Sequence, residues 1–158
     1  MCIRDSDNTI AIDEDGSHTF TTADFGFSDP VDQNNLQEVL ISSVALTNSG
    51  SLTLNNIPVF LGSSVSAADI SNGLLKFTPA ANNHGTGYAV IEFRVRDDGG
   101  TANGGLNTSQ LTNTITIDVN SVNDAPSGTD STVNVNENAS YVVAVSYTHL
   151  TLPTICSV

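Results

Sequence analysis

Three stretches of this chain alternate between bulky apolar residues and small or polar ones. Ile10 and Ile12 are interleaved with Thr9, Ala11 and Asp13; Ile91, Phe93 and Val95 with Glu92, Arg94 and Arg96; Ile115, Ile117 and Val119 with Thr114, Thr116 and Asp118. Successive side chains of a strand project to opposite faces, so each stretch reads as a strand with one face in a core and one in water. Shorter runs read the same way at 18–22 around Phe20, 39–44, 52–54 and 74–77. Gly and Asn clusters punctuate them at 48–50, 71–73, 82–87 and 97–105. Only 66–70 suggests a helix, a single turn capped by Ser66. Seven short strands with frequent turns predict an all-β sandwich with very little helix.

A chain of 158 residues has room for one such domain and part of another. Acidic residues number 17 against 4 basic ones, a net charge of −13. That surface repels phosphate backbones and anionic headgroups, so nucleic acid is not an expected partner. Membrane insertion is not expected either, because no apolar run approaches the ~20 residues of a membrane span. Clustered carboxylates attract hard divalent cations, which makes their placement the informative question. Both cysteines lie near the ends, Cys2 within 1–6 and Cys156 within 146–158, in strings that resemble translated sequencing-library adapter. They are therefore not read as a disulfide.

Sliding the chain against itself aligns 9–17 with 132–140: Thr9, Glu14 and Ser17 match Thr132, Glu137 and Ser140, and Ile10 and Ile12 match Val133 and Val135. Just before the second copy stands Asn123-Asp124-Ala125-Pro126, where proline stiffens a linker and cannot extend a ladder. The expected organisation is an adapter-like segment 1–6, a repeat with its linker over 7–126, the orphaned first strand of a following repeat over 127–145, and an adapter-like tail 146–158.

The run Phe93-Arg94-Val95-Arg96-Asp97-Asp98-Gly99-Gly100, the closing Val122-Asn123-Asp124-Ala125-Pro126, the turn Asp13-Glu14-Asp15-Gly16 and the segment 25–30 together resemble the cadherin-like tandem repeats of large bacterial surface and secreted proteins. The resemblance covers roughly residues 7–145. It implies a seven-stranded Greek-key sandwich of cadherin or Ig-like type, located outside the cell or on its surface. It also implies calcium between successive repeats, with Asn123 and Asp124 as the linker pair, Glu14 as the first-strand glutamate, and Asp97, followed by Asp98, as the acid of the last loop. Asp29 and Asp32 resemble an Asp-x-Asp pair but stand one residue too far apart, and Ser121 replaces an acid before the linker pair.

Sandwich topology sorts these acids independently. With antiparallel strands reversing in turn, Asp29, Asp32, Asp97 and Asp98 fall at one pole. Asp13, Glu14 and Asp15 fall at the other, beside Asn123 and Asp124. Calcium takes six to eight oxygens and binds extracellular modules weakly, with Kd around 10⁻⁴–10⁻³ M. Each pole offers part of a shell, so calcium binding is expected to be weak in this chain and to need an adjacent repeat.

Other chemistries fit poorly. Asp13-Glu14-Asp15-Gly16 lacks EF-hand spacing, and the glycine pairs at 99–100 and 104–105 lack the aspartate of calcium-binding nonapeptides. His18 and His84 are too isolated for zinc, and no Gly-x-Ser-x-Gly elbow exists. No enzymatic activity is expected. Expected partners are neighbouring repeats, with a cell-surface glycan or protein as a further class. Two alternatives to the calcium-stiffened structural repeat remain: a carbohydrate- or protein-binding module using the loop 101–112, and an inert accessory spacer of a secreted hydrolase.

Overall fold

The computed structural model describes residues 5–47, 49–102, 105–126, 128, 130 and 132–142. Its contacts divide the chain into Met1–Asn123 and Asp124–Val158. In the first unit the described residues form nine strands: β1 Asn8–Asp13, β2 His18–Thr19, β3 Leu36–Leu46, β4 Ser51–Leu54, β5 Ile57–Pro58, β6 Ser64–Ser66, β7 Leu75–Thr78, β8 Gly85–Asp97 and β9 Asn113–Asn120. They build two sheets, ordered β1-β9-β8-β3-β6 and β2-β7-β4-β5.

Each of the seven expected segments contains a strand, the one at 18–22 only over its first two residues, and the alternation explains why they share one core. Val39 and Ile41 of β3, Ile91, Phe93 and Val95 of β8, and Ile115 and Ile117 of β9 are buried on the inner face of the larger sheet. Leu52 of β4 with Leu75 and Phe77 of β7 join the same cluster from the smaller one. Burying each such side chain contributes about 1.5–3 kcal/mol, so this sandwich-like core is the main stabilising feature. Phe25 meets Phe93 edge-on at 5.0 Å and lies tilted against Phe20 at 5.9 Å, within the same core.

Three details depart from the pattern. The second strand stops at Thr19, because a capping box between Thr21 and Asp24 turns the chain into a 3₁₀ helix over Thr22–Phe25. β5 and β6 are additional, and both lie at sheet edges. The β4–β5 hairpin turns on Asn55 and Asn56, both left-handed at φ 49° and 64°, the conformation a two-residue type I′ turn requires. The single helical turn is α1, Ala67–Ser71, with the Ser66 hydroxyl accepting from the Asp69 amide at 3.0 Å.

β1 lies parallel to β9, in register from Asn8 opposite Ile115 to Asp13 opposite Asn120. β8 runs antiparallel to both β3 and β9. Consequently the start of β1, the start of β3, the end of β8 and the start of β9 share one pole. The turn after β1 and the end of β9 share the other.

In the second unit no described residue belongs to a strand, and Val133 and Val135 are exposed. It does contain a turn that duplicates the one after β1. Ala139 N donates to Asn136 O at 3.1 Å with Asn138 at φ 64°, as Gly16 N donates to Asp13 O at 3.1 Å with Asp15 at φ 62°. The 123-residue offset read from sequence is thus also an agreement of backbone conformation.

Candidate functional site

Many carboxylates among the described residues serve the backbone. With so few basic residues, they find their partners in main-chain N–H groups. Asp7 accepts from Thr114 N at 2.8 Å, Asp15 from Asn82 N at 3.0 Å and Asp118 from Gly87 N at 2.6 Å. The one acid–arginine pair among the described residues joins Glu38 to Arg96 across β3 and β8.

At the pole where β1 ends, Glu14 is buried, and its amide extends the β1–β9 ladder by donating to Asn120 O at 2.8 Å. Its carboxylate accepts from Val122 N at 2.7 Å and meets His84 Nδ1 at 3.1 Å. The Val122 N–H, with His84 assisting, holds the Glu14 carboxyl below its ordinary value of 4.5. Glu14 therefore fastens the exit of β9, the place the sequence gives it, through hydrogen bonds of its own. Asn123 closes the first unit and Asp124 opens the second, and both are exposed.

At the opposite pole, Asp29 and Asp98 organise the loop that leads into β3. Asp29 is buried and accepts from Asp32 N at 3.3 Å, Asn34 N at 3.4 Å and Asn34 Nδ2 at 3.1 Å. Asp98 accepts from Asn35 N at 2.8 Å and Asn35 Nδ2 at 3.3 Å, and the Asn35 N–H keeps its carboxyl below the ordinary 3.8. Asp32 is exposed and contributes its amide to the turn. Gly99 lies against the Asn34 amide, where a Cβ would collide. The two loops are thus stitched together through Asn34 and Asn35.

Asp97 differs from the other acids that the sequence singled out. It is fully buried; Oδ1 accepts from Gly99 N at 2.9 Å, but Oδ2 has no hydrogen-bond partner. Among the described residues, two other buried polar atoms share this condition, Asp5 Oδ2 and Asn113 Nδ2. Asp97 ends β8, Asn113 opens β9 and Asp5 precedes β1, so all three belong to the same pole. Buried polar atoms are normally paired, and an orphan calls for a bound water, an ion or a functional reason. Asp5 and Asn113 escaped the sequence reading. The burial of Asp97 was readable, since it continues the inward series Phe93, Val95 by one more alternation.

Among the described residues, no three or more of His, Cys, Asp and Glu form a group able to hold a metal ion. Asp97 by itself supplies one unpartnered carboxylate oxygen, short of the six to eight oxygens of a calcium shell. The segments 1–4 and 146–158 lie outside the described residues, while Ser6 lies against Gly26. No family model, no curated protein and no solved structure matches this chain.

Proposed function

We propose that residues 7–126 are one cadherin-like, Greek-key repeat of an extracellular, adhesin-type bacterial protein, and that calcium at the joints between repeats stiffens the array. The observation that carries this reading is the unpartnered oxygen of fully buried Asp97. A buried anion lacking half its hydrogen bonds is destabilising, and a divalent ion is the partner that would reverse this. The copied turn at 136–139 supports the tandem reading, because a second module would begin with the same strand and turn.

In the proposed joint, Asp97 would hold the ion with Asp98, Asp29 and Asp32 near it. Asn123 and Asp124 of the preceding linker, with that repeat's Glu14, would approach from the other side. When bound, calcium would supply positive charge that cancels the mutual repulsion of these carboxylates. The reading assigns no catalytic role to any residue. Calorimetric titration of calcium into a tandem of two copies of residues 7–129 tests it. Heat of binding that is stronger than in the single chain, together with a lower melting temperature in chelator, is expected. An intact tandem with neither response rejects it.

A further inference from the structure

Besides its acidic loops, the β3-entry pole carries an uncharged cleft of about 410 Å³ between the 3₁₀ helix, the loop into β3 and α1. Thr22, Phe27, Asn34, Asn35, Leu36 and Ser71 line it. We infer that this cleft is a binding site for a neutral saccharide, a function separate from the proposed calcium joint.

The volume lies in the range of small-ligand pockets, and the lining combines apolar surface with a few fixed polar groups, as such pockets do. The asparagines are fixed in an unusual way. Asn34 Nδ2 donates to Asp29 at 3.1 Å and Asn35 Nδ2 donates to Asp98 at 3.3 Å. A carboxylate only accepts, so each contact assigns the amide nitrogen and leaves the amide oxygen as the acceptor still available. Neither oxygen takes a hydrogen bond from another described residue. Gly99 leaves room for the Asn34 amide, which any side chain there would displace.

The cleft lining therefore includes two asparagines whose amide oxygens take no bond from a described residue, two hydroxyl-bearing residues, Thr22 and Ser71, and partly buried Phe27. Sugar hydroxyls match the first two groups, and the C–H face of a pyranose matches the ring. No lining residue carries charge, and two carboxylates beside it, Asp29 and Asp98, are engaged by the two asparagines. The surrounding charge of −13 disfavours acidic sugars further.

The test is calorimetric titration of the full chain with neutral gluco-, manno- and xylo-oligosaccharides and with an oligouronate, each in chelator. At least one neutral series should bind, and the oligouronate should not. Ser71→Phe, at an exposed position, should fill the cleft and weaken binding at least tenfold. Thr22→Val removes one hydroxyl with little change of shape and should weaken it three- to tenfold, which keeps the inference decidable if the larger change impairs folding. Absence of binding by every neutral series, preference for the oligouronate, or affinity unchanged in both variants overturns it. Running the titrations in chelator separates this outcome from failure of the calcium reading.

Discussion

Replacing Asp97 with asparagine changes one atom and removes a buried charge, so its effect can be worked out with few assumptions. Asp97 Oδ1 accepts from Gly99 N, while Oδ2 is buried without a partner. Leaving a buried polar group unsatisfied costs about 1–3 kcal/mol, and more for a charged one. Asparagine leaves its Nδ2 without a partner in the same place, so only the added cost of the charge is removed; in chelator Asp97→Asn should stabilise the protein by at most about 1–3 kcal/mol. For a unit of this size that is about 4–12 °C in melting temperature. Calcium should act in the opposite direction, through the acid alone. With Kd between 10⁻³ and 10⁻⁴ M and 10 mM ion, RT ln(1 + [L]/Kd) gives about 1.4–2.7 kcal/mol. The advantage of asparagine should shrink by that amount when calcium is added. The assay is urea unfolding of a tandem of two copies of residues 7–129, with the substitution in the second copy, in chelator and in 10 mM calcium. If the acid–amide difference is the same in both conditions, Asp97 does not hold the ion. If asparagine is destabilising in chelator, the orphaned oxygen is not a liability and the argument from it fails.

Phe93→Ala should cost about 3–5 kcal/mol, since the ring is fully buried and packs edge-on against Phe25 at 5.0 Å; urea denaturation measures it. Asn56→Ala should cost about 1 kcal/mol or more, because alanine adopts the φ of 64° only with strain; thermal melting would register the loss. Glu14 and Asp98 both have lowered pKa values in the folded state, so their contributions are present above the ordinary values of 4.5 and 3.8 and are lost as pH falls through the folded ones. Stability of the wild type should decline below about pH 4.5 more steeply than that of Glu14→Gln, as followed by denaturation between pH 3 and 6.

The strands that sequence made legible are those long enough to show period two. β1, β8 and β9 each carry three or more alternations, and a one-residue slip would turn their isoleucines and valines to water. β5 and β6 were not legible. Ile57-Pro58 and Ser64-Val65-Ser66 are too short to express a period, and their pairing is decided by the neighbours they happen to edge. The truncation of β2 was missed for a different reason. The Thr21–Asp24 capping box acts through backbone amides that alternation does not report.

The acids show the same division. Their sorting into two poles follows from strand direction, and Glu14 does lie beside the end of β9. What sequence could not express is how many of them are already engaged. Asp29 and Asp98 look like free ligands in a string of letters, yet each holds an asparagine and a loop amide. That occupation depends on φ and ψ, which composition does not encode. It is also what singles out Asp97, whose significance lies in a bond it lacks.

The parallel pairing of β1 with β9 has a mechanical consequence. Tension applied through the two ends draws the start of β1 one way and the end of β9 the other, along the strand axes. The six residue pairs from Asn8–Ile115 to Asp13–Asn120 then resist in shear, all loaded at once, and none can peel away ahead of the others. A module wired in this manner yields abruptly at a high force and hardly stretches before it does.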